Sequence, residues 1–132
     1  MRVVIDTNVL FSGFYDTASP PGRILRAAAA GTIHLCAPDS VKAELTRALG
    51  RKLGYSDLEI NSAIDGLHVE WINEALYRAS MDVAKSAIRD PDDAPVLACA
   101  LSIGCDIISG DKDLHAVKIK GIRVWTPAEL AD

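Results

Sequence analysis

Short runs of β-branched residues alternate along this chain with longer stretches whose apolar positions fall at helical spacing. Val3, Val4 and Ile5 are contiguous, which predicts a strand over residues 2–6 covered on both faces. A short helix is expected over 8–13, capped by Asp6 or Thr7, and then a turn-rich loop over 16–21. Ser19-Pro20-Pro21 opens a helix that runs through Ala27–Ala30 and stops at Gly31. Ile33–Ala37 reads as a second buried strand, and Pro38-Asp39-Ser40 begins the next helix. In that helix Val41, Leu45, Ala48 and Leu49 form an apolar stripe. Gly54 breaks the chain, and Ser56-x-x-Glu59 is a capping-box pattern opening a helix to about Leu67. A short strand over Val69–Ile72 and one helix over Asn73–Ile88, carrying Leu76, Ala79, Val83 and Ala87, complete the middle. Val96–Ile103 predicts an apolar helix closed by Gly104, and Cys105–Ser109 a further strand. Gly121–Trp125 is the last strand, and Thr126-Pro127 caps a short closing helix.

Strands alternating with helices imply an α/β protein with a parallel sheet and right-handed crossovers. In such sheets ligands bind outside the carboxyl ends of the strands. Asp6 stands at one such end, and Gly110-Asp111-Lys112-Asp113 follows another. Each also suits a helix cap or an acidic turn. Glu44 falls on or beside the inward stripe of its helix. An unpaired charge there is costly, and the alternative is a flank position pairing with Lys42 or Arg47. Asp90, Asp92 and Asp93 precede the Val96 helix. The helix dipole favours acids in a first turn, but three exceed what capping needs. Scattered acids converging on one edge repel unless a cation sits among them, and an all-oxygen set selects Mg²⁺ or Mn²⁺.

Composition narrows the function classes. The chain has 132 residues, 49% of them hydrophobic, which suits one domain over 1–132. No apolar run approaches the roughly 20 residues of a membrane helix, and Asp6 interrupts the apolar start, so neither a signal peptide nor a membrane partner is expected. A cytoplasmic location follows. Net charge is −4, which argues against a nucleic-acid partner. If four of the 18 acids form one metal site, however, the remaining 14 balance the 14 Lys and Arg. The three cysteines, Cys36, Cys99 and Cys105, form no C-x-x-C pair and read as small hydrophobes. His34, His68 and His115 are isolated in sequence and read as surface or packing residues, so zinc is not expected. No Walker loop or G-x-G-x-x-G is present, so no nucleotide cofactor is expected either.

Four stretches in order resemble the motifs of PIN domains: Val3-Val4-Ile5-Asp6-Thr7-Asn8-Val9-Leu10, Glu44 within its helix, Asp93 with Leu97-Ala98-Cys99-Ala100 and Gly104, and Ser109-Gly110-Asp111-Lys112-Asp113-Leu114. The chain is most similar to the stand-alone prokaryotic members, the toxins of VapBC-type modules. The resemblance implies a three-layer α/β/α sandwich with a mostly parallel sheet. It also implies a Mg²⁺- or Mn²⁺-dependent endoribonuclease in which Asp6, Glu44, Asp93 and Asp111 hold metal and carry catalysis. Asn8 or Thr7 would then support Asp6 by hydrogen bonds. Water would attack phosphorus in line and the 3′ oxygen would leave. Ala94 stands where relatives often carry a third consecutive Asp, which leaves Asp92 an alternative to Asp93, and Asp113 is an alternative to Asp111. Ser109 replaces the commoner Thr and would also support the site.

The partners implied are RNA, a cognate antitoxin and a second copy of the chain, docked through residues 56–88. Arg23, Arg26, Lys42, Arg47 and Lys112 are expected near the acidic edge. Two other classes compete: an idle PIN-like binding module, and a phosphohydrolase of small molecules. The second commonly shows Asp-x-Asp after the first strand, where this chain has Asp6-Thr7-Asn8.

Overall fold

A computed structural model describes residues 1–131. Five parallel strands form one sheet: β1 (Arg2–Ile5), β2 (His34–Pro38), β3 (Val69–Ile72), β4 (Asp106–Ile108) and β5 (Val124–Trp125), in the order β3-β2-β1-β4-β5. Val3, Val4 and Ile5 are fully buried, as a central strand covered on both faces requires. Register is set by Val3 and Val4 opposite Leu35 and Cys36 on one side, and opposite Asp106 and Ile107 on the other.

The helices are α1 (Thr7–Tyr15), α2 (Pro20–Ala29), α3 (Asp39–Leu53), α4 (Asp57–Asp65), α5 (Glu74–Tyr77), α6 (Met81–Ala87), α7 (Ala94–Ile103), α8 (Lys112–His115) and α9 (Pro127–Ala131). From β1 to β3 the chain winds one way across the sheet, and from β3 it crosses back past β1 to β4. Right-handed crossovers therefore put α1–α4 on one face and α5–α7 on the other. Packing agrees: α1 lies against α2 and α3, α3 against α4, and α2 against α9, whereas α7 lies against α5, α6 and the sheet. The result is the three-layer α/β/α sandwich. The reversal between β1 and β4 is a switch point, where the loops diverge and leave a crevice at the carboxyl edge.

Helix ends follow the sequence closely. Ser19 accepts from Gly22 N–H at the start of α2, and Ser56 with Glu59 forms the full capping box of α4. Gly104 closes α7 at φ 69°, a left-handed conformation that side chains with a Cβ disfavour.

The helix expected over Asn73–Ile88 is broken. Residues 78–80 form a 3₁₀ turn between α5 and α6. Asp39, at the start of α3, explains the break: it accepts from Tyr77 Oη at 2.6 Å and from Glu74 N–H at 3.1 Å. Those bonds draw Tyr77 inside and turn the chain there. Leu76 and Val83, placed inward by the helical stripe, are exposed. The last strand is also shorter than expected, since only Val124 and Trp125 pair with β4. In the 111–115 segment, which the sequence leaves open between an acidic turn and a helix cap, Asp111 caps the short helix α8.

Candidate metal centre

The crevice at the switch point collects the acids. Asp6 leaves β1 as the N-cap of α1, its Oδ1 accepting from Val9 N–H at 3.1 Å. The capping reading and the site reading are thus both physically present in one residue. Its other oxygen, Oδ2, accepts from Ser109 Oγ, at the end of the adjacent β4. Ser109 is fully buried, and its Oγ also accepts from Asp111 N–H at 2.9 Å. One hydroxyl therefore ties the ends of β1 and β4 together and fixes the Asp111 backbone beside Asp6.

Glu44 lies at the edge of the inward stripe of α3 and is half-buried. It accepts from Thr7 Oγ1 at 3.1 Å. Thr7 thus steadies Glu44, whereas the Asp6 carboxylate is steadied by Ser109 and the α1 backbone. Asn8 is exposed and lines the crevice. A narrow cleft of about 40 Å³ is bounded by Asp6, Thr7, Asn8, Glu44, Asp92, Asp93, Val41 and Val96. That is room for one small ion or water.

Asp92 and Asp93 both line the cleft but differ in burial. Asp90 caps the 3₁₀ turn Pro91–Asp93 by accepting from Asp92 N–H. That turn leaves Asp92 exposed and tucks Asp93 against α7. Asp93 Oδ2 is buried without a hydrogen-bond partner. Asp111 and Asp113 are both half-buried, and Asp111 Oδ1 accepts from Asp113 N–H at 2.7 Å. Oxygens of Asp90, Asp93 and Asp113 come within 4.8 Å of one another. Asp90 was not among the site residues expected from sequence; its Pro91-Asp92 context marks only a cap.

The electrostatics record the crowding. Burial pushes the Asp6 carboxyl above its ordinary range, against the lowering effect of its hydrogen bonds, and the charges of Asp111 and Glu44 add to the rise. Asp93 is pushed up to about 7, first by burial, then by the charge of Asp111, with Asp90 and Asp6 contributing. A carboxyl that resists ionising beside others, with one oxygen unsatisfied, is what a cation would relieve. The donors are all oxygen, so a hard divalent ion fits.

Two further features surround the crevice. His115, read as a surface or packing residue, donates from Nε2 to the Ser109 carbonyl at 2.6 Å. It braces the loop that carries Ser109 and Asp111, a link that only the α8 turn creates. Arg47 lines a groove with Glu44, Pro91, Asp92 and Pro95, and Lys112 directly follows Asp111. The other expected cations lie elsewhere or are engaged: Lys42 sits over Trp71, and Arg23 and Arg26 donate to the carbonyls of Ala18 and Thr17.

Solved structures of similar fold exist. A chain of a toxin–antitoxin complex from Klebsiella pneumoniae superposes with a TM-score of 0.70 at 20% identity, covering 95% of this chain and 97% of that one. A chain of VapBC2 from Rickettsia felis, solved with a DNA fragment from the promoter, superposes at 0.67 and 12% identity, covering 96% and 98%. Identities that low speak to the fold alone. No curated protein matches the sequence. The PIN domain family profile matches residues 2–113. A match over that much of the chain makes this protein a member of the PIN domain family.

Proposed function

We propose that this protein is a divalent-metal-dependent endoribonuclease and the toxin half of a VapBC-type pair. The observation that carries the catalytic reading is the unsatisfied, buried Oδ2 of Asp93 among carboxylates whose ionisation is mutually opposed. Asp6, Glu44, Asp93 and Asp111 are the residues that would hold Mg²⁺ or Mn²⁺, and Asp90 and Asp113, whose oxygens lie within 4.8 Å of one of Asp93, would join them. Such an ion supplies charge neutralisation and Lewis acidity toward a phosphodiester.

The chain's own groups supply the rest. Ser109 and Val9 N–H hold the two oxygens of Asp6 in fixed directions, and Thr7 holds Glu44. Arg47 and Lys112 flank the acidic edge and would meet the phosphates of an RNA strand. The antitoxin partner is supported by the two neighbours that come from toxin–antitoxin complexes. Among the described residues no helix is long and apolar enough to cross a membrane, which is compatible with a cytoplasmic toxin. Residues 56–88, which flank the edge strand β3 from both layers and expose Leu58 and Leu76, are the region proposed for self-association.

Asp6→Asn tests the reading. Cleavage of a mixed RNA substrate in Mn²⁺ should fall at least a hundredfold while the circular dichroism spectrum is unchanged. Cleavage that survives the substitution, or that persists in excess EDTA, would overturn it. A well-folded wild type that binds RNA without ever cutting it would leave the idle binding module instead.

A further inference from the structure

A second cluster lies at the opposite, amino-terminal edge of the sheet. Pairing of Arg2 with His34 and of Cys36 with Glu70, together with the period-two alternation of strands, puts all four side chains on one face. His34 Nε2 is 2.9 Å from Glu70 Oε1, and Cys36 Sγ is 3.6 Å from the same oxygen. The imidazole nitrogen, the thiol sulfur and the carboxylate oxygen all lie within 4.8 Å of one another. These groups are borne by paired strands, which position ligands more firmly than loops do.

We propose that His34, Cys36 and Glu70 form a binding site for a borderline transition-metal ion of the Zn²⁺ class, separate from the acidic crevice. Nitrogen, sulfur and oxygen donors together select such ions over Mg²⁺. Zinc bond lengths require ligand–ligand edges of about 3.4 Å for nitrogen–oxygen and about 3.6 Å for sulfur–oxygen in a tetrahedron. The nitrogen–oxygen and sulfur–oxygen separations need to change by no more than about half an ångström to meet those edges, and the nitrogen–sulfur separation, within 4.8 Å, has to settle at about 3.6 Å. A positive charge already occupies the place: Arg2 Nε donates to Cys36 Sγ at 3.3 Å and Nη2 to Glu70 Oε1 at 3.1 Å. The Arg2 side chain is 42% exposed and can swing into solvent. A cleft of about 380 Å³ whose lining includes His34, His68 and Glu70 opens beside two of the three ligands. The exchange balances: the sulfur–metal bond replaces the S–H bond, that proton goes to solvent, His34 keeps one proton on Nδ1, and Arg2 is released. The bound ion would tie β2 to β3 at the edge of the sheet farthest from the acids.

Cobalt titration of the full-length protein separates the two sites, because only a thiolate ligand gives a sulfur-to-cobalt charge-transfer band in the near ultraviolet. The expected result is one such band per chain, saturating at one equivalent. It should be kept in Asp6→Asn, lost in Cys36→Ser, and weakened at least tenfold in affinity in His34→Gln, whose exposed side chain can change without disturbing the core. Arg2→Ala should tighten binding, since the competing cation is gone. Absence of the band in the wild type would overturn the proposal. So would its survival in a folded Cys36→Ser protein, which would assign it to Cys99 or Cys105. Unchanged cobalt affinity in His34→Gln would overturn it equally, and covers the case in which Cys36→Ser does not fold.

Discussion

Asp93→Asn should stabilise the metal-free protein. The carboxyl is displaced from 3.8 to about 7, roughly three units, and each unit is worth about 1.4 kcal/mol. That gives about 4 kcal/mol as a ceiling at alkaline pH. Solvent reaches part of the residue, so about 2 kcal/mol is the reasonable expectation. The folded state holds the proton more tightly than the unfolded chain does. This stability is therefore fully present below about pH 4 and is lost as pH rises through about 7. The asparagine variant has no proton to lose. Unfolding entropy of about 2.1 cal/mol/K per residue over 132 residues converts 2 kcal/mol into about 7 °C. Differential scanning calorimetry in EDTA should find the variant melting about 7 °C above wild type at pH 8, with the gap closing toward pH 4. Saturating Mn²⁺ should raise the wild type and leave the variant nearly unmoved. Equal melting temperatures at pH 8, or a gain as large at pH 4 as at pH 8, would refute the reasoning.

Other outcomes follow from single contacts. Ser109→Ala removes the bond to Asp6 Oδ2 and should weaken Mn²⁺ affinity about tenfold by calorimetric titration, as losses of groups that orient ligands generally do. Ser56→Ala should cost about 1 kcal/mol in urea unfolding, by breaking the α4 capping box, and leave cleavage unchanged. Leu97→Ala, fully buried in α7, should cost about 2–5 kcal/mol in the same assay. Arg47→Ala should raise KM for RNA more than it lowers kcat, with a shallower dependence on salt.

Much of the fold can be read from local signals. Val3-Val4-Ile5 could only be a covered strand, and the Gly, Pro and Ser-x-x-Glu signals bounded α2, α4 and α7 closely. Among the acids, Asp6 and Asp111 are legible as residues at a strand's carboxyl end, Asp6 directly after β1 and Asp111 after β4 and the Ser109-Gly110 turn. Glu44 is legible because an acid on an apolar stripe asks for a partner, and Thr7 is that partner. The different burial of Asp93 and Asp92 is not legible, since it depends on the 3₁₀ turn that carries both. The break in Asn73–Ile88 escapes for a similar reason: Asp39, 38 residues before Tyr77, makes the bond that bends the chain. His34, Cys36 and Glu70 look isolated until the β2–β3 register sets Cys36 beside Glu70. Local pattern reports elements; it carries no register.

The central claim concerns one ion at the carboxyl edge between β1 and β4. Anomalous diffraction from a crystal soaked in Mn²⁺ addresses it directly. The account requires a peak within coordination distance of Asp6 and Asp93 oxygens, with Glu44 and Asp111 bordering it, and no such peak in Asp6→Asn. A fully loaded crystal with no manganese there, or with manganese held only by exposed carboxylates such as Asp92, would contradict it.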